Sequence, residues 1–138
     1  MTLNIDYIAG FFDGEGCVWA SKRDVRAIFT NTNLQILLDI QEYFGEGRIT
    51  QKHRTPKDHA NKLCYQLTMW NRRAERILKV MLPHLRLKRR EAELALEIMS
   101  TFRKPGAPPG SNGNCALPQE MWDYRSALCA QIKAEKCA

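Results

Sequence analysis

At 138 residues, with 44% hydrophobic and 26% charged, the chain has the length for one compact domain with a real core and none for a second. No apolar run approaches the roughly eighteen residues of a membrane span, and the opening Met1-Thr2-Leu3-Asn4-Ile5-Asp6 lacks a basic region followed by an apolar one, so membrane and secreted classes are set aside. The net charge of +6 is unevenly placed: residues 16–90 hold 16 Lys/Arg against 6 Asp/Glu (+10) and the rest 5 against 9 (−4), the asymmetry that a polyanion-binding face requires.

Ile5, Ile8, Ala9 and Phe12 recur at helical spacing, with Asn4 or Asp6 able to cap the start, which predicts a short helix ending near Gly14 or Gly16. Asp6, Gly10 and Gly14 fall four apart on its other side and leave a stripe with little side-chain bulk. A glycine inside a helix costs about 1 kcal/mol relative to alanine, so Gly10 points to close approach of another backbone. Residues 17–30 then read as two strands joined by a polar turn near Lys22-Arg23-Asp24. Alternation places Cys17, Trp19, Ser21 and Arg23 on one side and Val18 and Ala20 on the other.

Asn33 or Thr32 can cap a second helix whose apolar period is Leu34, Leu37, Leu38, Gln41 and Phe44, with Gly45 as its stop. Arg48–Lys52 and Lys62–Met69 alternate as a second strand pair. Leu63, Tyr65, Leu67 and Met69 are assigned to the core; Lys62, Cys64, Gln66 and Thr68 share the opposite face with Arg48, Thr50 and Lys52. A basic loop, His53 to Asn61, joins the two. Asn71 opens a third helix with Ala74, Ile77, Leu78 and Met81 inward, stopped by Pro83. A fourth runs from about Lys88 to Phe102 with Leu87, Glu91, Leu94, Ala95, Ile98 and Phe102 in register, Glu91 being the polar exception. Residues 104–114 are loop by composition, and Leu117-Pro118 leads into a last helix using Met121, Trp122, Leu128 and Ile132.

The cysteines, at 17, 64, 115, 129 and 137, are odd in number, widely spaced and without a C-x-x-C pair, which argues for reduced thiols over a zinc finger or disulfide framework. His53, His59 and His84 lack the spacing of a zinc site and read as surface residues or contacts to a polyanion's backbone.

Asp13 and Glu15 stand at the C-terminal end of the first helix, where the carbonyls already concentrate negative charge. Two acids there are electrostatically unfavourable, and a divalent cation held by carboxylate and carbonyl oxygens would relieve the conflict. The bland alternative is a pair of exposed acids tolerated at a cost of ~0.3–1 kcal/mol.

The nine residues Ile8-Ala9-Gly10-Phe11-Phe12-Asp13-Gly14-Glu15-Gly16 resemble the LAGLIDADG motif, and Pro83-His84-Leu85-Arg86-Leu87-Lys88-Arg89-Arg90 is similar to a stretch of the single-motif homing endonucleases. The resemblance runs over about residues 5–102 and includes the order of elements. It implies an α+β fold, an αββαββα core with an antiparallel DNA-binding sheet and additional C-terminal helices. One domain over 1–138 is expected, with the C-terminal loop and helix over about 103–138. With one motif per chain it implies a homodimer, with Ala9, Gly10, Asp13 and Gly14 at the contact.

The implied activity is hydrolysis of both strands of a long, roughly palindromic DNA target with Mg²⁺, for which Mn²⁺ or Ca²⁺ can substitute in binding. Glu15 falls on the family's metal-binding position and the carbonyl of Gly14 on a backbone ligand, while Asp13 organises the helix end. Lys88 matches a basic residue near the active site; its alternative is a solvated cluster with Arg86, Arg89 and Arg90. Asn31 is the choice for positioning water, with helix capping as its alternative and that of Asn33. DNA reading falls to Ser21, Arg23, Arg26, Arg48, Thr50, Lys52, Lys62, Gln66 and Thr68 on the strands, with Arg54 and Lys57 reaching from the loop. Trp19 on that face can instead pack at its edge. The expected setting is intron-encoded and intracellular, in a prokaryotic cytoplasm or nucleoid or an organelle interior. The competing readings are a maturase acting on intron RNA, a non-cleaving DNA-binding protein and a basic structural domain.

Overall fold

The structure, a computed structural model, describes residues 3–52, 63–102 and 118–137. Arg54, Lys57, Lys62, His53, His59 and Cys115 lie outside the described residues. Helix α1 spans Ile5–Glu15; the side chain of Asn4 caps it by accepting from the Tyr7 N–H at 2.8 Å. Strands β1 (Gly16–Ala20) and β2 (Val25–Asn31) follow, then α2 (Leu34–Phe44), β3 (Arg48–Lys52) and β4 (Cys64–Trp70). Helix α3 (Arg72–Met81) ends in a single 3₁₀ turn, Leu82–His84, before α4 (Arg89–Ser100) and α5 (Gln119–Cys137). None of these helices is long and apolar enough to cross a membrane.

The four strands form one antiparallel sheet in the order β1-β2-β4-β3. Its inner face carries Val18, Val25, Ala27, Phe29, Leu67 and Met69, all buried against the helices. Helix α1 adds Ile8, Ala9 and Phe12; the rings of Phe12 and Phe29 meet edge to face at 5.0 Å, a geometry worth about 0.5–1.5 kcal/mol beyond area burial. Gly16, where α1 becomes β1, has no room for a side chain: an added Cβ would sit 2.3 Å from Phe12 Cδ1 and 2.6 Å from the Phe12 carbonyl oxygen. The motif's last glycine thus allows the helix end to fold tightly onto the sheet.

Asn33, not Thr32, caps α2, and Gly45 closes it in the left-handed region at φ 73°. The inward stripe of α2 is Leu37 and Ile40, whereas Leu38 is 39% exposed; it stands about 100° around the helix from Leu37 and misses the sheet. Two other core assignments change for a related reason. Leu63 and Leu87, 52% and 76% exposed, lie just outside β4 and α4, so the periodicity of those elements does not govern them. Ala74, Ile77, Leu78 and Met81 are all buried on α3 as expected.

Helix α5 is fastened to this core by Leu128, Ile132 and a buried arginine. Arg125, 4% exposed, donates from Nε to Thr101 Oγ1 at 2.8 Å, and from Nη1 and Nη2 to the carbonyls of Lys22 (3.0 Å) and Thr101 (2.8 Å). Its guanidinium also covers the rings of Phe102 and Trp122. With only neutral acceptors around it, burial pulls its pKa below the usual arginine value.

Candidate active site

The C-terminal end of α1 is organised by Asp13. Its Oδ2 accepts from the Arg86 N–H at 2.8 Å and its Oδ1 from the Lys88 N–H at 3.0 Å, while its own carbonyl accepts from Lys88 Nζ at 2.5 Å. The Phe12 carbonyl takes the Gly16 N–H. The Asp13 side chain thus pins the segment entering α4, and its backbone carbonyl holds the Lys88 ammonium at the negative end of the helix, where a cation is favoured. This separates Lys88 from its basic neighbours, since Arg89 and Arg90 pair with Glu93 on the exposed side of α4.

Glu15, one residue beyond Gly14, is exposed, and among the described residues its carboxylate has no hydrogen-bond or ion-pair partner. It stands at a helix end whose carbonyls already concentrate negative potential. No group of three or more His, Cys, Asp or Glu able to hold a metal occurs among the described residues of one protomer. What one protomer offers at this helix end is oxygen donors, the Glu15 carboxylate and the carbonyls of the last turn of α1. That set fits a hard cation such as Mg²⁺ but fills only part of its coordination shell.

Along the outward side of α1, Asp6, Gly10 and Gly14 are exposed, and a Cβ added at either glycine would meet nothing within 4 Å. The fold of one protomer therefore does not require these glycines. Ala9 is the exception among the expected contact residues: it is fully buried in the protomer's own core, because it follows Ile8 onto the inward side of the helix. A groove of about 520 Å³ beside this stripe is lined by Asp6, Gly10, Asp13, His84, Arg86 and Arg89, among others. His84 is not a free surface residue, since its Nδ1 lies 2.5 Å from Asp6 Oδ1.

Asn31 lies past the β1 ladder, which ends at Gly16 opposite Phe29. Its Oδ1 accepts from the Asn33 N–H at 2.8 Å, a local turn that leads into α2. By alternation it belongs to the inner side of the sheet, with Phe29, rather than to the open face.

The open face is ordered in cross-strand rows. Trp19, Arg26 and Trp70 form one; Cys17, Ile28, Thr68 and Arg48 the next; then Thr30, Gln66 and Thr50; and finally Cys64 with Lys52. Arg48, Thr50 and Lys52 are exposed and Gln66 half-buried. Thr68 is only 7% exposed despite lying on this face, because it stands between Ile28 and Arg48 in the middle of the sheet. Ser21 is used by its own turn, accepting from the Arg23 and Asp24 N–H groups and donating to Asp24 Oδ1 at 2.9 Å. Arg26 pairs with Asp24 at 3.2 Å and lies over the Trp19 ring at 4.4 Å, so Trp19 packs at the edge. Arg23 lies over Trp122 at 5.9 Å. Ile28, Thr30 and Trp70 were missed as members of this face; the period of two counted from Arg26 would have found Ile28 and Thr30.

The sequence profile described as the LAGLIDADG-like domain matches residues 3–81, more than half of the chain. The chain belongs to the LAGLIDADG family. A DNA endonuclease of Chlorella vulgaris, I-CvuI, is 31% identical over 110 residues, a match covering 70% of this chain and 64% of that protein, just short of two thirds of its length. The crystal structure of I-CvuI with its target in the presence of Ca superposes with a TM-score of 0.69 at 22% identity, covering 95% of this chain and 80% of that one. An archaeal intron-encoded homing endonuclease, I-Vdi141I, complexed with DNA, gives 0.71 at 20% identity over 95% and 82%. The αββαββα core with its antiparallel sheet is therefore the LAGLIDADG homing-endonuclease fold, and Glu15 sits at the seam where the family motif passes from helix to sheet.

Proposed function

We propose that this LAGLIDADG chain is one half of a homodimeric, divalent-metal-dependent endonuclease that cuts both strands of a specific DNA target. The observation that carries this is the Glu15 carboxylate at the end of α1, without a partner among the described residues, with a lysine fixed at the same helix end by Asp13. The curated relative is a DNA endonuclease, and its structures with target DNA support DNA as the substrate. Packing of two α1 helices along Gly10 and Gly14 would bring two such ends together and complete what one protomer lacks.

Glu15 and the Gly14 carbonyl would hold Mg²⁺, or Mn²⁺ in its place, with Ca²⁺ supporting binding. When bound, the ion supplies charge neutralisation at the phosphoryl oxygens and an acidified water. The chain's own residues do the rest. Lys88 holds a positive charge where the pentavalent phosphorus gains negative charge, and the Asp13 clamp keeps it there without reorganisation. Asn31, whose Oδ1 is taken by the Asn33 N–H, has its amide N–H groups left to orient a water at the end of β2. The open face lies along the major groove, where Arg48, Thr50, Lys52 and Gln66 are placed to meet base edges, and the excess of +10 over residues 16–90 draws in the phosphates.

The test starts from DNA recovered by selecting bound duplexes, in Ca²⁺, from a randomised palindromic library. With Mg²⁺ the wild-type protein is expected to cut the recovered sequence on both strands. Glu15→Gln is expected to bind it with near-wild-type affinity and not cut it. Cutting by Glu15→Gln would remove the metal-ligand assignment. Persistent binding without cutting by the wild type would leave a recognition protein or a splicing factor instead.

A further inference from the structure

Against the end of α1 lies a charged group that the roles above leave unused. Glu91 follows Lys88 by three residues on α4, is only 7% exposed, and has an Oε1 without a hydrogen-bond partner. It lines a cavity of about 340 Å³ together with Asp13, Gly16, Lys88, Glu135 and Lys136. Two ammonium groups belong to the walls of this cavity, and neither bonds to Glu91. Lys88 Nζ donates to the Asp13 carbonyl at 2.5 Å; Lys136 Nζ, from the last turn of α5, donates to the Val18 carbonyl at 2.5 Å and approaches Cys17 Sγ at 3.3 Å.

A carboxyl with an unsatisfied oxygen is a poor choice for packing, because desolvation is not repaid by a hydrogen bond. The other inward residues of α4 are apolar, Leu94 and Ile98 among them, so a helix built for stability alone would continue that pattern. What Glu91 does have is a place in one cavity wall beside two ammonium groups, those of Lys88 and Lys136. We propose that Glu91 is a positioning residue for DNA cleavage, the shared internal counter-charge that holds the ammonium groups of Lys88 and Lys136 at the Glu15 end of α1.

Burial pushes the Glu91 carboxyl above its ordinary value; Lys136 first, then Lys88, pull it back, and Glu135 opposes them. Lys136 and Glu135 stand on α5, so the C-terminal helix supplies one wall of this cavity. Lys88 touches the residue immediately before Gly14 and Glu15, so a change of charge behind it alters where its ammonium rests when a phosphate arrives.

The inference rests on the endonuclease reading, and full-length protein with the DNA recovered by selection tests both. Single-turnover cleavage in Mg²⁺ is compared with DNA affinity in Ca²⁺ for wild type, Glu91→Gln, Glu91→Met, Glu91→Asp and Lys136→Met. Loss of a residue that orients an active-site group costs about 10–100-fold in rate. Glu91→Gln and Glu91→Met are expected to lose that much with affinity unchanged, Glu91→Asp to recover part of it, and Lys136→Met to lose less. Glu91→Met is expected to melt above wild type even while it cuts slowly, a combination that a purely structural role does not produce. Wild-type rates in both Glu91→Gln and Glu91→Met would overturn the inference alone. A wild type that binds without cutting would remove the endonuclease reading and this inference with it.

Discussion

Gly10→Ala separates what α1 does for its own protomer from what it does for a second one. In a single protomer the added methyl meets nothing within 4 Å. Replacing an exposed mid-helix glycine should therefore stabilise the fold by about 1 kcal/mol, or roughly 3–5 °C in melting temperature for a chain of this size. In the proposed dimer the same methyl enters a helix contact whose closeness depends on its absence. Overpacking costs about 1–3 kcal/mol per site, and two-fold symmetry doubles it to about 2–6 kcal/mol. That weakens dimerisation from about thirty-fold to about four orders of magnitude. Gly16→Ala is the control: its methyl would strike the buried Phe12 ring and carbonyl at 2.3 and 2.6 Å, so it should lose folding stability at every concentration. Sedimentation equilibrium over a concentration series, with thermal melting at the dilute end, reads both effects. A Gly10→Ala protein with the wild-type dimer dissociation constant would refute the helix-to-helix contact, whatever its melting temperature.

Arg125→Met keeps most of the packing stem but leaves the carbonyls of Lys22 and Thr101 without their donor, which should cost about 3 kcal/mol in urea unfolding; a loss under about 1 kcal/mol would show that α5 is held by its apolar contacts. Glu91 should also mark the pH dependence of stability. Its folded carboxyl titrates above 4.5, so the folded chain keeps a proton that the unfolded chain releases. Its contribution is fully present below about pH 4.5 and lost as pH rises through the elevated value, and Glu91→Gln should flatten the stability curve in that window. An unchanged slope in the variant would contradict the assignment.

Where one period governed one element, the sequence was legible. Strand faces followed alternation from Tyr65 to Met69, and α3 buried all four expected residues. Errors gathered where an element stops, at Leu63 and Leu87, or where two stripes were possible, as on α2. In the site, the motif and its resemblance placed Glu15, Asp13 and Lys88 at one helix end, but local sequence could not tell which polar side chains their own turns consume. Ser21 and Arg26 are both engaged with Asp24, and Asn31 with the Asn33 N–H. Ala9 shows a similar limit, since a small residue next to a glycine stripe can still face inward. The cavity shared by Glu91 and Lys136 joins positions more than forty residues apart and has no sequence signature at all.

The cross-strand rows of the open face also bear on how such a protein changes over generations. The central strands carry a row side chain on one side and a core residue on the other, as Gln66 does beside buried Leu67 and Ile28 beside buried Ala27 and Phe29. Open-face and core positions are thus interleaved along the chain yet separated in space by the thickness of one sheet. Substitutions at the exposed positions of β3 leave the core contacts intact and belong to the class worth within about 0.5 kcal/mol of stability. If the open face reads DNA as proposed, a lineage could drift from one target site to another without first passing through unfolded intermediates, provided it leaves the helix end at Glu15 alone.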